Sequence, residues 1–194
     1  MNEWSGIARR RISDRILSSP ERFGAKRNVY WTKGLQMPDK IHVEFGRPSS
    51  GSMLTTLQVG ESSLEVWASY IPYDSITELA GALSLIMKGG PEAKVSWNEE
   101  PTEYDFVFTA RENDAQLDVF TYPDSSRARR GRKKILSVRG TILDICQPFW
   151  RALRRLETSI PLNEYKAAWG HRFPEGKMRE VTELVEQMKP RHGN

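Results

Sequence analysis

From Lys40 onward the hydrophobic and polar positions follow two periods that alternate in blocks. "KIHVEF" (40–45) puts Ile41, Val43 and Phe45 on one side and His42 and Glu44 on the other, the period of a half-buried strand. "MLTTLQV" (53–59) and "LEVWASYI" (64–71) follow across the turn segments "GRPSSGS" and "GESS". Three strands with tight connections predict an antiparallel meander. The period then changes in "PYDSITELAGALSLIMKGG" (72–90), where Ile76, Leu79, Ala80, Leu83, Ile86 and Met87 recur at helical spacing. Asp74 or Ser75 can cap this helix, Ser75 with Glu78 has capping-box spacing, and Gly89 and Gly90 supply a left-handed stop.

Strand patterns resume in "AKVSW" (93–97), "EYDFVFTAR" (103–111) and "AQLDVFTY" (115–122), with "ENDA" turning the last two into a hairpin. "KILSVRGTILDI" (134–145) reads as one long strand bent at Gly140. The rest is helical. "QPFWRALRRLE" (147–157) places Pro148 in a first turn and Phe149, Leu153 and Leu156 on one side. "PLNEYKAAW" (161–169) and "PEGKMREVTELVEQMK" (174–189) follow, the latter presenting Met178, Val181, Leu184, Val185 and Met188. Strands in runs, with helices segregated from them, predict an α+β fold. The expectation is a largely antiparallel sheet of about seven strands, one central helix, and a helical C-terminus (147–189) packed on the sheet. Residues 1–39 hold no sustained period; they are expected to form an arm, with a short helix in "EWSGIARRRISDRIL", beside a single domain at 40–194.

Composition narrows the class. A chain of 194 residues fits one domain and can bury a core without disulfides or metal. No apolar run approaches the roughly 20 residues of a membrane span, and the N-terminus lacks the apolar core of a secretory signal, so a cytoplasmic protein without a membrane partner is expected. The one cysteine, Cys146, excludes an internal disulfide and a cysteine-rich zinc site; among apolar neighbours it reads as a buried, inert thiol.

Charge changes the picture more. Residues 91–120 carry two basic and eight acidic groups, a net of −6, whereas residues 121–160 carry ten basic and three acidic groups, a net of +7. The positive block centres on a hairpin loop, 123–134, holding Arg127, Arg129, Arg130, Arg132, Lys133 and Lys134. Charges this dense repel and extend into water, and they suit phosphate or an acidic protein surface. Single-strand readers interleave cations with stacking aromatics, and only Tyr122 flanks this run, so the loop is expected to be solvated and to steer a partner at most. A second positive group, Arg151, Arg154 and Arg155, lies opposite the buried side of its helix and would join the loop if the loop folded toward it. The negative block gathers Glu99, Glu100, Glu103 and Asp105 around a turn beside Trp97 and Tyr104. It lacks the spacing and glycine of a calcium loop, and its aromatics favour protein recognition.

Catalytic signatures are absent. His42, His171 and His192 have no metal-helix spacing, and no nucleophile elbow, Walker loop or dinucleotide fingerprint occurs. The glycine-serine segment "GRPSSGS" precedes a strand, so it lacks the helix N-terminus that cradles phosphate. No catalytic residue, metal or cofactor is expected. The architecture around "SYIPYDSITELAGAL", "EPTEYDFVF" and "PFWRALRRLE", spanning about residues 40 to 157, resembles small bacterial toxin-immunity proteins, including those paired with type VI or polymorphic toxins. The resemblance implies a non-enzymatic cytoplasmic domain that neutralises one cognate toxin by direct binding. Trp97, Glu99, Glu100, Glu103, Tyr104 and Asp105 are the expected partner-binding residues. Immunity proteins against nucleases tend to be acidic, and this chain has a pI near 9.2, so an acidic block of a nuclease cleft would have to be local. The alternative is a nucleic-acid-associated protein using the 127–134 run and the Arg151, Arg154 and Arg155 face.

Overall fold

The computed structural model describes residues Lys40 to Lys189; the expected N-terminal arm and His192 lie outside them. Seven strands form one antiparallel sheet in chain order: β1 (Ile41–Phe45), β2 (Ser52–Val59), β3 (Ser62–Ser69), β4 (Glu92–Glu99), β5 (Thr102–Arg111), β6 (Asp114–Tyr122) and β7 (Lys133–Thr141). Helix α1 (Ser75–Met87) separates β3 from β4, and α2 (Ile142–Ser159), α3 (Leu162–Trp169) and α4 (Glu175–Met188) follow β7. The fold is α+β, as the segregated periods predict. No helix of the described residues is long and apolar enough to cross a membrane.

Alternation fixes which face is inside. Val66 and Ala68 of β3, Val95 and Trp97 of β4, Phe106 and Phe108 of β5, and Leu117 and Val119 of β6 are buried on the inner face. Phe149 of α2 meets the rings of Phe106 and Phe108 edge-on there, at centroid distances of 6.5 and 5.4 Å. The sheet curls around this core. Phe45 of β1 stacks on Trp97 of β4 at 6.2 Å, although three flat strand spacings would hold them roughly 14 Å apart. The other face is the outer one.

The sheet has one weak join. β2 pairs with β3 from Ser52 opposite Ser69 to Val59 opposite Ser62, whereas β3 and β4 pair only at Ser69 and Asn98. The two strands are staggered: β3 runs out past the β4–β5 turn, and β4 runs beside α1. The first turn of α1 satisfies the β4 backbone, with the Ser75 hydroxyl donating to the Ser96 carbonyl at 2.6 Å and the Ser96 N–H donating to Glu78 at 2.9 Å. The expected Ser75–Glu78 capping box is therefore not formed, because both side chains are drawn to an unpaired strand edge. Asp74 is the N-cap, accepting from the Thr77 N–H at 3.4 Å.

The C-terminal boundary also differs from expectation. β7 ends at Thr141, and residues 142–145 open α2 instead of extending the strand. Thr141 and Asp144 form a reciprocal box: the Thr141 hydroxyl accepts from the Asp144 N–H at 3.1 Å, and the Asp144 carboxylate accepts from the Thr141 N–H at 2.9 Å. Ile142, Ile145, Phe149, Leu153 and Leu156 make one buried stripe at helical spacing, which overrides the β-like composition of "TILDI". Pro148 thus sits inside the helix and not in its first turn.

One ring ties distant segments. Gly51 and Gly170, both at positive φ, flank Tyr70 so closely that a Cβ on either would come within 2.6 Å of a ring carbon. The Gly51 N–H donates to the Ala168 carbonyl at 2.7 Å, holding the end of α3 against the start of β2.

Candidate interaction site

The two charged stretches meet each other before they meet a partner. Glu103 and Asp105 lie on the outer face of β5, 1% and 4% exposed. The 123–132 loop folds back over that face, and Arg127 forms ion pairs with both carboxylates. Its guanidinium lies 4.7 Å from the Tyr122 ring centroid and 5.5 Å from that of Tyr73. The Tyr122 hydroxyl donates to Asp105 at 2.9 Å, the Tyr73 hydroxyl to Glu103 at 3.2 Å, and the Ser96 hydroxyl to Asp105 at 3.2 Å. Lys94 approaches Asp105 from the solvent side at 3.7 Å. Burial works against the Arg127 charge, but the bonds and charge of Asp105, followed by Glu103, outweigh it and raise the pKa further. Burial, then the bond to Asp105, raises the Tyr122 phenol.

This cluster corrects two expectations. Arg127 is not part of a solvated loop; an ion-paired guanidinium between two rings anchors the loop to the sheet. Trp97, Glu103, Tyr104 and Asp105 are not on a partner-facing surface, because strand alternation turns the aromatics into the core and Arg127 covers the carboxylates. Nor do the two positive groups merge. The loop folds over the outer face, while α2 packs on the inner one. There Arg151 is exposed, Arg154 pairs with Glu157, and Arg155 donates to the Val43 carbonyl on the rim of β1 at 2.6 Å.

What stays at the surface forms two patches. Beside the β3–β4 join, Trp67 and Ile71 are 61% and 51% exposed. Glu99 accepts from the Trp67 N–H at 2.8 Å and from the Tyr104 hydroxyl at 2.8 Å. Burial first, and then that bond, pushes the Tyr104 phenol up to about 12. Asn98 donates to the Ile71 carbonyl and, at 3.3 Å, to Glu100. Trp67, Ile71, Glu99 and Glu100 thus form one bonded patch, apolar with an acidic rim. Sequence reasoning missed Trp67 and Ile71. For Trp67 the signal was its alternation with buried Val66 and Ala68, which places the indole on the polar side of β3.

The second patch is cationic. Arg129, Arg130, Arg132, Lys133 and Lys134 are exposed, the last two on β7 and not in the loop. The Arg132 guanidinium lies 3.5 Å from the Phe120 ring centroid and the Lys134 ammonium 5.8 Å from it. Strand pairing thus brings the cations an aromatic that their own run lacks. Lys134 also pairs with Asp118 at 3.2 Å.

The remaining expectations concern chemistry. His42 is exposed beside Glu44, and His171 packs edge-on against Tyr70 at 5.6 Å. Cys146 is buried, and burial pushes its thiol up to about 12. Among the described residues, no group of three or more His, Cys, Asp or Glu side chains is placed to hold a metal ion. Comparisons with protein-family models, with curated proteins and with solved structures find no match for this chain.

Proposed function

We propose that this chain is a non-enzymatic binding protein of the immunity type, which neutralises a cognate toxin through the Trp67, Ile71, Glu99 and Glu100 patch. The observation that carries the reading is an indole 61% exposed on a strand edge, with carboxylates held around it. Exposed aromatics in a fixed setting supply interface energy at low entropic cost, and a charged rim selects the partner. Glu103 and Asp105 support the reading from the other side. Arg127 pairs with one oxygen of each, and Tyr122 donates to the second oxygen of Asp105, an arrangement that favours a scaffold role over a general acid and base.

The experiment pairs the purified protein with the purified product of each adjacent gene. One product should be toxic when expressed alone, be silenced by co-expression, and bind with a dissociation constant of about 10 nM or tighter. Trp67→Ala and Glu100→Lys should each weaken binding at least tenfold. Alanine at His42, His171 or Cys146 should leave protection intact. Loss of protection by any of those three in a protein that still folds and binds would replace the reading with an enzymatic one.

A second reading, nucleic-acid association, is favoured by Phe120 lying against Arg132 and Lys134, the pairing of ring and cation that single-strand binders use. Anisotropy of a labelled 20-nucleotide single strand at physiological salt separates the two. Tight binding lost in Phe120→Ala with Arg132→Ala supports it, and no binding removes it.

A further inference from the structure

We infer that the free edge of β3 takes up an extended, basic segment of a partner as an additional antiparallel or parallel strand. The inference rests on the binding reading above and names the chemistry of its partner. Backbone parity defines the edge. Ala68, Val66 and Leu64 stand opposite Met53, Thr55 and Leu57 of β2, and Tyr70 continues the series by donating to the Gly51 carbonyl. The alternate residues, Ser63, Glu65 and Trp67, point their N–H and C=O groups away from β2, as the Trp67 N–H does in reaching Glu99. β4 begins to pair only at Ser69, so the groups of Ser63 and Glu65 meet no strand among the described residues.

The other two edges are defended. α2 packs along β1, and Arg155 binds its Val43 carbonyl. β7 carries Lys133 and Lys134, charges that oppose strand addition. β3 instead presents small Ser62 and Ser63, and the exposed indole of Trp67 stands where it would cover an incoming strand.

Charge selects the occupant. From Pro48 through Met87 the chain has no lysine, arginine or histidine, although the whole protein is net positive. Glu61, Glu65, Glu99 and Glu100 line this edge with negative charge. Two copies paired across it on a two-fold axis would bring their acid rims together, which disfavours self-pairing. A strand bearing lysine or arginine beside β-branched residues matches both the backbone and the rim.

Amide hydrogen exchange by NMR on the full chain tests this. In the free protein the Ser63 and Glu65 amides should exchange at least a hundredfold faster than those of Val66 and Ala68. The probe is an acetylated, amidated decapeptide of alternating lysine and valine; its controls are the glutamate–valine analogue and the same lysine peptide N-methylated at alternate residues. The lysine peptide should slow Ser63 and Glu65 exchange at least tenfold, and neither control should. Glu65→Lys should weaken peptide binding at least fivefold, and Trp67→Ala provides a second variant that leaves the β3 backbone untouched. Protection of Ser63 and Glu65 in the free protein would mean the edge is already covered, and concentration-dependent sedimentation would identify a second copy as its cover; either overturns the inference. Peptide binding without protection of these amides, or equal protection by the N-methylated peptide, reduces the site to a charge contact and overturns it as well. A cognate toxin that binds equally well to wild type and Glu65→Lys, without protecting Ser63 and Glu65, would sink strand addition while leaving the binding function in place.

Discussion

Arg127 shows how far a residue's role can depart from its run. Its neighbours in sequence are solvated cations, yet it is the counter-ion of two buried carboxylates. Removing it strands Glu103 and Asp105 in a low-dielectric site, where Lys94 still pairs with Asp105 from the solvent side. Arg127→Met should cost about 3 kcal/mol in denaturant melts. Adding Glu103→Gln and Asp105→Asn to that variant should recover a measurable part of the loss, because the triple change removes the uncompensated charge. Sequence reasoning could see that both charge blocks existed but not that they cancel, since the contact links residues brought together only by the β5–β6 hairpin and the loop's return. Two of the strongly raised acids, Cys146 and Tyr104, give a pH signature. The Cys146 thiol moves from an ordinary 9.0 to about 12, and the Tyr104 phenol from 10.0 to about 12. The unfolded chain ionises first at both, so their stabilisation is complete below about 9 and is lost as pH rises toward 12. Cys146→Ala should flatten the decline between pH 9 and 12 by up to about 1.4 kcal/mol per pH unit, read from denaturant midpoints across that range.

At the scale of elements, the alternating strands and the α1 stripe were legible because one buried face imposes one period. Leu83 is fully buried on α1, and Leu83→Asp should abolish cooperative unfolding in a circular dichroism melt. The start of α2 was not legible. "TILDI" offers β-branched residues in a strand-like order, and only the stripe continuing through Phe149 and Leu156 reveals the helix. The Thr141–Asp144 box then decides the boundary locally. Asp144→Ala removes the carboxylate that accepts from the Thr141 N–H and hydroxyl. It should cost about 1 kcal/mol, with a matching loss of helical signal on heating. The split between β3 and β4 was also beyond the sequence. Both read as ordinary strands, and nothing in their composition tells that α1 takes the place of a neighbour beside β4.

Across the whole molecule, charge is sorted by location: an acidic edge at β3, a neutralised cluster under Arg127, and a cationic patch at the base of β7. Exposed charge away from a packed contact acts mainly on encounter rate and is screened by salt. Serine at Arg129, Arg130, Arg132, Lys133 and Lys134 removes charge that repels a basic partner segment, so it should speed association severalfold at low salt and leave dissociation nearly unchanged in biosensor kinetics. Arg127 is left out of that set because it belongs to the scaffold. The Tyr70 ring between Gly51 and Gly170 bears on how this chain can change over time. Three positions far apart in the sequence share one slot, and its walls at 51 and 170 have no side chains. A lineage that gains a side chain at 51 or 170 can keep the fold only by shrinking residue 70 in the same step or before it. Drift here is expected to be concerted, and in any set of diverged relatives a small residue at 70 should accompany non-glycine at 51 or 170.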